Sequence, residues 1–189
     1  MEVHHRQTDR SSYARQACAE KLERTADGGF KQAEITSCGL NGGPLAEKGT
    51  YEARIACNLW AKDGTGRYDC KSPRKAFADH PYFTQSGKDR ESDGDQYIAN
   101  MQDGSVAGFK YFDLTDAENI EVRLRGSAKG QILVATDRGL QTLAAEIPVD
   151  LDGGEKTFRS AFQAAPGKQP LYFGYVGNGS VDFLSFTLK

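Results

Sequence analysis

The chain has no apolar run near the ~20 residues that a membrane-spanning helix needs, so a bilayer is excluded as a partner. Met1 is followed by a charged, histidine-containing stretch where a secretory leader would carry an apolar core. As written, the chain therefore reads as cytoplasmic, and any secretion is left to a longer parent. No Lys/Arg run exceeds two residues and the formal charge is −2, which removes the long-range attraction for phosphate backbones and with it nucleic acid as a partner. The four cysteines, Cys18, Cys38, Cys57 and Cys70, form no C-x-x-C pair. Zinc and dithiol redox chemistry are therefore not indicated, and the residues read as free or buried thiols, with a Cys38–Cys57 disulfide as the alternative. There is no Gly-x-Ser-x-Gly elbow, no His-Glu-x-x-His and no phosphate-binding glycine loop, and His4, His5 and His80 all precede the regular part of the chain.

What is present is β-rich. With 189 residues, 38% of them hydrophobic, and 21 glycines, the chain has room for one large domain or a compact domain with an appendage. Before residue 60, short β-like runs (Glu2 to Gln7, Ala14 to Arg24, Gln32 to Ser37, Tyr51 to Leu59) are separated by Asp27-Gly28-Gly29 and by Gly39 to Pro44, both strong turn signals. Residues 61–81 are polar and irregular and read as a linker.

From residue 82 the pattern becomes regular. Val106 to Phe112 and Ile120 to Arg125 alternate apolar and polar residues, and Ile132 to Ala135 follows after Gly126-Ser127-Ala128-Lys129-Gly130. Thr142 to Val149, Thr157 to Phe162, Leu171 to Val176 and Val181 to Leu188 come next. They are divided by Asp152-Gly153-Gly154, Pro166-Gly167 and Gly177-Asn178-Gly179. Short strands broken every eight to twelve positions predict an all-β, antiparallel β-sandwich over 82–189, with residues 1–60 as an N-terminal strand extension.

Several motifs narrow the sandwich. Tyr97-Ile98-Ala99-Asn100, Asp103 to Tyr111, Gly153-Gly154-Glu155-Lys156-Thr157-Phe158, Leu171-Tyr172-Phe173 and Val181 to Phe186 resemble, in the same order, the family 6 carbohydrate-binding modules, a jelly-roll fold. His4 to Thr8, Arg15 to Glu20 and Glu34 to Leu45 resemble the end of the five-bladed catalytic propeller of glycoside hydrolase family 43, mostly β-xylosidases and α-L-arabinofuranosidases. The resemblance implies a chain that begins in the last blade, whose catalytic carboxylates belong to earlier blades. His5 matches a histidine that helps hold a central metal in that family, although an ordinary strand histidine is the simpler account.

Sugars are held by aromatic faces and a few polar groups that satisfy their hydroxyls. In family 6 modules two loop aromatics sandwich the sugar and an asparagine near the last strand assists. Tyr97 matches the first aromatic, the second falls at Glu155, and the asparagine falls at Asp182 or Asn178. Phe158 is a partial substitute for the missing ring. The resemblance thus implies a non-catalytic module for plant cell-wall polysaccharide or oligosaccharide of xylan or arabinoxylan type, with Tyr97, Glu155, Phe158, Asn178 and Asp182 at its site. The plainer account of Tyr97, Phe158 and Phe183 is core or rim packing.

Asp89, Glu91, Asp93 and Asp95 alternate around Gly94 like the first half of a calcium loop, which presents several oxygens from a tight turn. A solvated acidic turn is the simpler account, since Asn100 stands where a bidentate glutamate is needed and no helices flank the run. A structural calcium is nevertheless common in the resembled modules. Two further readings stand beside the module. One is a small glycosidase or esterase working in a cleft between the N-terminal segment and the sandwich, with Glu155 and Asp182 as its carboxylate pair. The other is an assembly module in which exposed N-terminal strands pair with a second copy of the chain.

Overall fold

A computed structural model describes residues 2–8, 11–64, 79–87 and 95–189. The alternation of Ile120, Val122 and Leu124 with Glu121, Arg123 and Arg125 becomes burial on one face only, as period-2 patterning requires. The same rule shapes three long strands, β9 (Asn119–Ala135), β10 (Leu143–Ala161) and β11 (Gly167–Leu188), which carry the sandwich. They are preceded by β6 (Tyr82–Ser86), β7 (Asp95–Met101) and β8 (Val106–Leu114). The main sheet runs β10-β9-β11-β7-β6, and β8 joins it through the first half of β11. Between the layers sits an aromatic core from β8 and β11. Phe109 meets Phe186 edge-on at 5.0 Å, and Phe173 lies 4.7 Å from Phe186.

Three expected turns are not turns. Gly126 to Gly130, Asp152 to Gly154 and Gly177 to Gly179 lie inside β9, β10 and β11, so six predicted strands merge into three. Glycine here permits close approach of two backbones and not a reversal of the chain. Gly130 faces Gly177 across the β9–β11 ladder, and a Cβ on Gly130 would overlap the Val176 carbonyl oxygen and come within 2.7 Å of the Gly177 Cα. At Asp152 the chain instead makes a bulge, a register shift between Asp152 and Glu155.

The expected boundary at residue 60 also falls inside the sandwich. Strands β3 (Leu45–Ala46), β4 (Gly49–Glu52) and β5 (Asn58–Trp60) pair with β8 and β11. Ala53 and Ala56 are core residues. The β3–β8 contact is parallel, Leu45 opposite Phe112, so the sheet is mixed where antiparallel pairing alone was expected. Between Gln32 and Ser37 no strand forms. There the Ser37 N–H donates to the Lys110 carbonyl at 2.5 Å and its Oγ accepts from the Lys110 N–H at 3.1 Å.

Strands β1 (Glu2–Thr8) and β2 (Ser11–Glu20) form a separate two-stranded sheet, with His5 opposite Ala17. Of the expected linker, residues 65–78 lie outside the described residues, and Cys70 with them. Cys18, Cys38 and Cys57 are free thiols, so the disulfide considered for Cys38 and Cys57 is not formed. His80, expected outside the sandwich, is buried beside β7, with its Nε2 2.8 Å from Asp63 Oδ1.

Candidate functional site

The wet face of β9 organises the candidate site. Cross-strand partners share a face of a sheet, and Arg125 is opposite Glu155 on one side and Asp182 on the other. The Arg125 guanidinium reaches Asp182 Oδ2 from Nη2 at 3.2 Å and from Nε at 3.4 Å. Its carbon lies 4.5 Å from the centroid of the Tyr97 ring on β7. Asp182 uses its other oxygen to accept the Asn100 N–H at 3.2 Å. Asn100 is itself set in the left-handed region at φ 61, donates to the His80 carbonyl, and accepts from Gln102 Nε2 at 2.9 Å. Burial works against the charge on Arg125, but Asp182, Tyr97 and Asp95 outweigh it and raise its pKa above the ordinary arginine value.

Glu155 is taken by a second arginine. Arg123 Nε donates to its Oε1 at 2.5 Å. Glu155, Arg123, Arg125, Asp182 and Tyr97 thus form a stripe in which two arginines stand between two acids, ending on an aromatic ring and crossing β10, β9, β11 and β7. Tyr97, Glu155 and Asp182, matched from sequence, are brought together here.

Phe158 and Asn178 are not brought there. Phe158 is opposite Val122, which is fully buried, so its ring belongs to the core face and packs against the core. Asn178 is exposed four residues from Asp182, about 13 Å along β11 at ~3.3 Å per residue, and its carbonyl accepts from the Tyr175 hydroxyl at 2.5 Å. Phe183, weighed as core, is 1% exposed and is core. Of the acidic run, Asp89, Glu91 and Asp93 lie outside the described residues, while Asp95 is exposed at the start of β7. Among the described residues no three His, Cys, Asp or Glu side chains gather as a metal cluster.

Sequence reasoning missed Arg123 and Arg125. Their alternation placed them in solvent, but only the register of β9 between β10 and β11 sets them against two acids and a tyrosine. It also missed a second aromatic group on β5 and β11. Trp60 and Tyr172 have ring centroids 5.9 Å apart, and the Arg138 guanidinium lies 4.9 Å over the indole.

No protein-family model matches the chain. In three dimensions it is similar to a family 6 carbohydrate-binding module from Clostridium cellulolyticum solved with xylose, with a TM-score of 0.57 and 14% identity, covering 77% of this chain and 99% of that one. The chain has the fold of a family 6 carbohydrate-binding module. A second solved structure, a glycoside hydrolase family 43 arabinoxylan arabinofuranohydrolase from Bacillus subtilis, extends the likeness beyond the module. Its TM-score is 0.63 at 17% identity, over 93% of this chain and 34% of that one. By sequence, the chain is 37% identical over 187 residues to a xylosidase/arabinosidase of Thermoclostridium stercorarium. The match takes in 98% of this chain but spans only 38% of that relative, and it corresponds to a C-terminal part of it.

Proposed function

We propose that this chain is a non-catalytic carbohydrate-binding module of a hemicellulose-degrading glycoside hydrolase, taking xylan- or arabinoxylan-type chains on the stripe that joins Tyr97 to Asp182. The observation that carries the reading is the 37% identity to a xylosidase/arabinosidase over nearly the whole of this chain, in a region whose fold is that of the module. The stripe offers an aromatic ring together with guanidinium and carboxylate groups suited to sugar hydroxyls. Electrophoresis through native gels containing arabinoxylan tests it. Retarded migration is expected, with no hydrolysis of aryl β-xylosides or aryl α-L-arabinofuranosides. Unretarded migration, or hydrolysis that disappears in Glu155→Gln, would sink the reading.

Two finer parts belong to the same proposal. A calcium ion held by the run from Asp89 to Asp95 is supported by the spacing of its hard oxygen donors alone. Calcium is then expected to raise the melting temperature and EDTA to lower it. Self-association through β1 and β2 is supported by their standing as a sheet apart from the sandwich, and a monomer by light scattering at high concentration would remove it.

A further inference from the structure

A pyranose stacks on an aromatic residue through its flat C–H face, which requires the ring face to be open. On Tyr97 one face is already taken. The Arg125 guanidinium carbon at 4.5 Å from the ring centroid is at contact distance for a cation on an aromatic face. A sugar entering between the two needs about 4 Å on each of its sides, roughly twice the separation present.

The guanidinium is also anchored from behind. Two hydrogen bonds tie it to Asp182 Oδ2, and Asp182 is fixed in turn by the Asn100 N–H at 3.2 Å. The side chains of Arg125 and Asp182 are 30% and 28% exposed, so solvent screens the pair only in part. The carboxylates of Asp182, Glu155 and Asp95 would remain at the site if the arginine left. They would repel an acidic sugar and accept hydrogen bonds from the hydroxyls of a neutral one.

We infer that Arg125 is the specificity-determining residue of this site: it occupies the place on Tyr97 that a neutral sugar ring would take, and binding there is limited by lifting it from Tyr97 and Asp182. The inference rests on the module reading above and goes beyond it by naming the residue that holds the platform closed and the charge class of the ligand that opens it.

Isothermal titration calorimetry with xylohexaose, accompanied by thermal melts, tests it. Arg125→Ala is expected to bind about tenfold more tightly than the unaltered protein, the size of one aromatic platform made available. Asp182→Asn, which loosens the guanidinium but keeps an acceptor for Asn100, should move affinity the same way by less. Tyr97→Ala in the Arg125→Ala background should abolish the gain. Should Arg125→Ala melt early, Arg125→Gln serves in its place, since it keeps a polar side chain and cannot cover the ring. Unchanged or weaker binding in the arginine variants, or a gain that survives loss of Tyr97, would overturn the proposal. If the unaltered protein binds and Arg125→Ala does not differ from it, Arg125 loses its assigned role and the module reading stands. Binding that appears only in Arg125→Ala supports the closed platform and counts against present sugar binding, and no binding in any form overturns both.

Discussion

At position 47 a glutamate that is 7% exposed accepts the N–H groups of Thr115, at 2.5 Å, Asp116, at 3.0 Å, and Ala117, at 2.8 Å, as well as the Thr115 hydroxyl. Burial disfavours its charge, but these donors outweigh burial and lower its pKa from 4.5 to about 2. Because the folded-state value lies below the ordinary one, the stabilisation is complete above pH 4.5 and is lost as pH falls from there toward 2. Glu47→Ala takes the acceptor from the buried Ala117 N–H and from the more exposed N–H groups of Thr115 and Asp116, and is expected to lower stability by about 1–3 kcal/mol at pH 7. Urea denaturation at pH 7 and at pH 3 checks this, with a smaller difference between variant and parent at the lower pH. A difference that does not shrink in acid would show that the carboxylate charge is not what stabilises. Nothing in the local sequence marks Glu47. Its donors lie on the loop after β8, about seventy positions away, and only the folded chain brings them to it.

The strands show a different division. Where apolar and polar residues alternate, as in Ile120 to Arg125, the expected element and its buried face are both observed. Where glycines interrupt the alternation, sequence reading divides strands that remain whole. A glycine cluster has two physical uses, reversal of the chain and close passage of two backbones, and composition does not separate them. The Gly130–Gly177 crossing is the second kind. Gly130→Ala would force β9 and β11 apart at the point where both pass through the sandwich, and a loss of about 3 kcal/mol or more is expected in chemical denaturation. Gly153→Ala, on the bulge of β10, meets no neighbour within 4 Å but sits at φ +111. Its expected cost is the smaller one of backbone strain, about 1–2 kcal/mol. Equal losses at the two positions would contradict the assignment of Gly130 to close packing.

Across the whole molecule, the stretch from Leu45 to Trp60 belongs to the sandwich, because it supplies β3, β4 and β5, core residues Ala53 and Ala56, and the Glu47 clasp. A protein lacking residues 1–36 should therefore keep its melting temperature within a few degrees. One lacking residues 1–60 should melt far lower or fail to fold, since it uncovers β8 and removes part of the core. Similar melting of the two would return the boundary to residue 60. The sequence by itself determined the all-β class and the wet and dry faces of most strands, and it named the candidates Tyr97, Glu155 and Asp182, because alternation and motif are local properties of the chain. Tertiary structure alone decided that Phe158 turns to the core, that Arg123 and Arg125 pair with the two acids, and that one face of the Tyr97 ring lies against the Arg125 guanidinium. Those outcomes depend on the register of β9 between β10 and β11 and on a bulge at Asp152. A shift of one residue in either would exchange every inward side chain for an outward one, and no local pattern encodes which partner strand stands opposite.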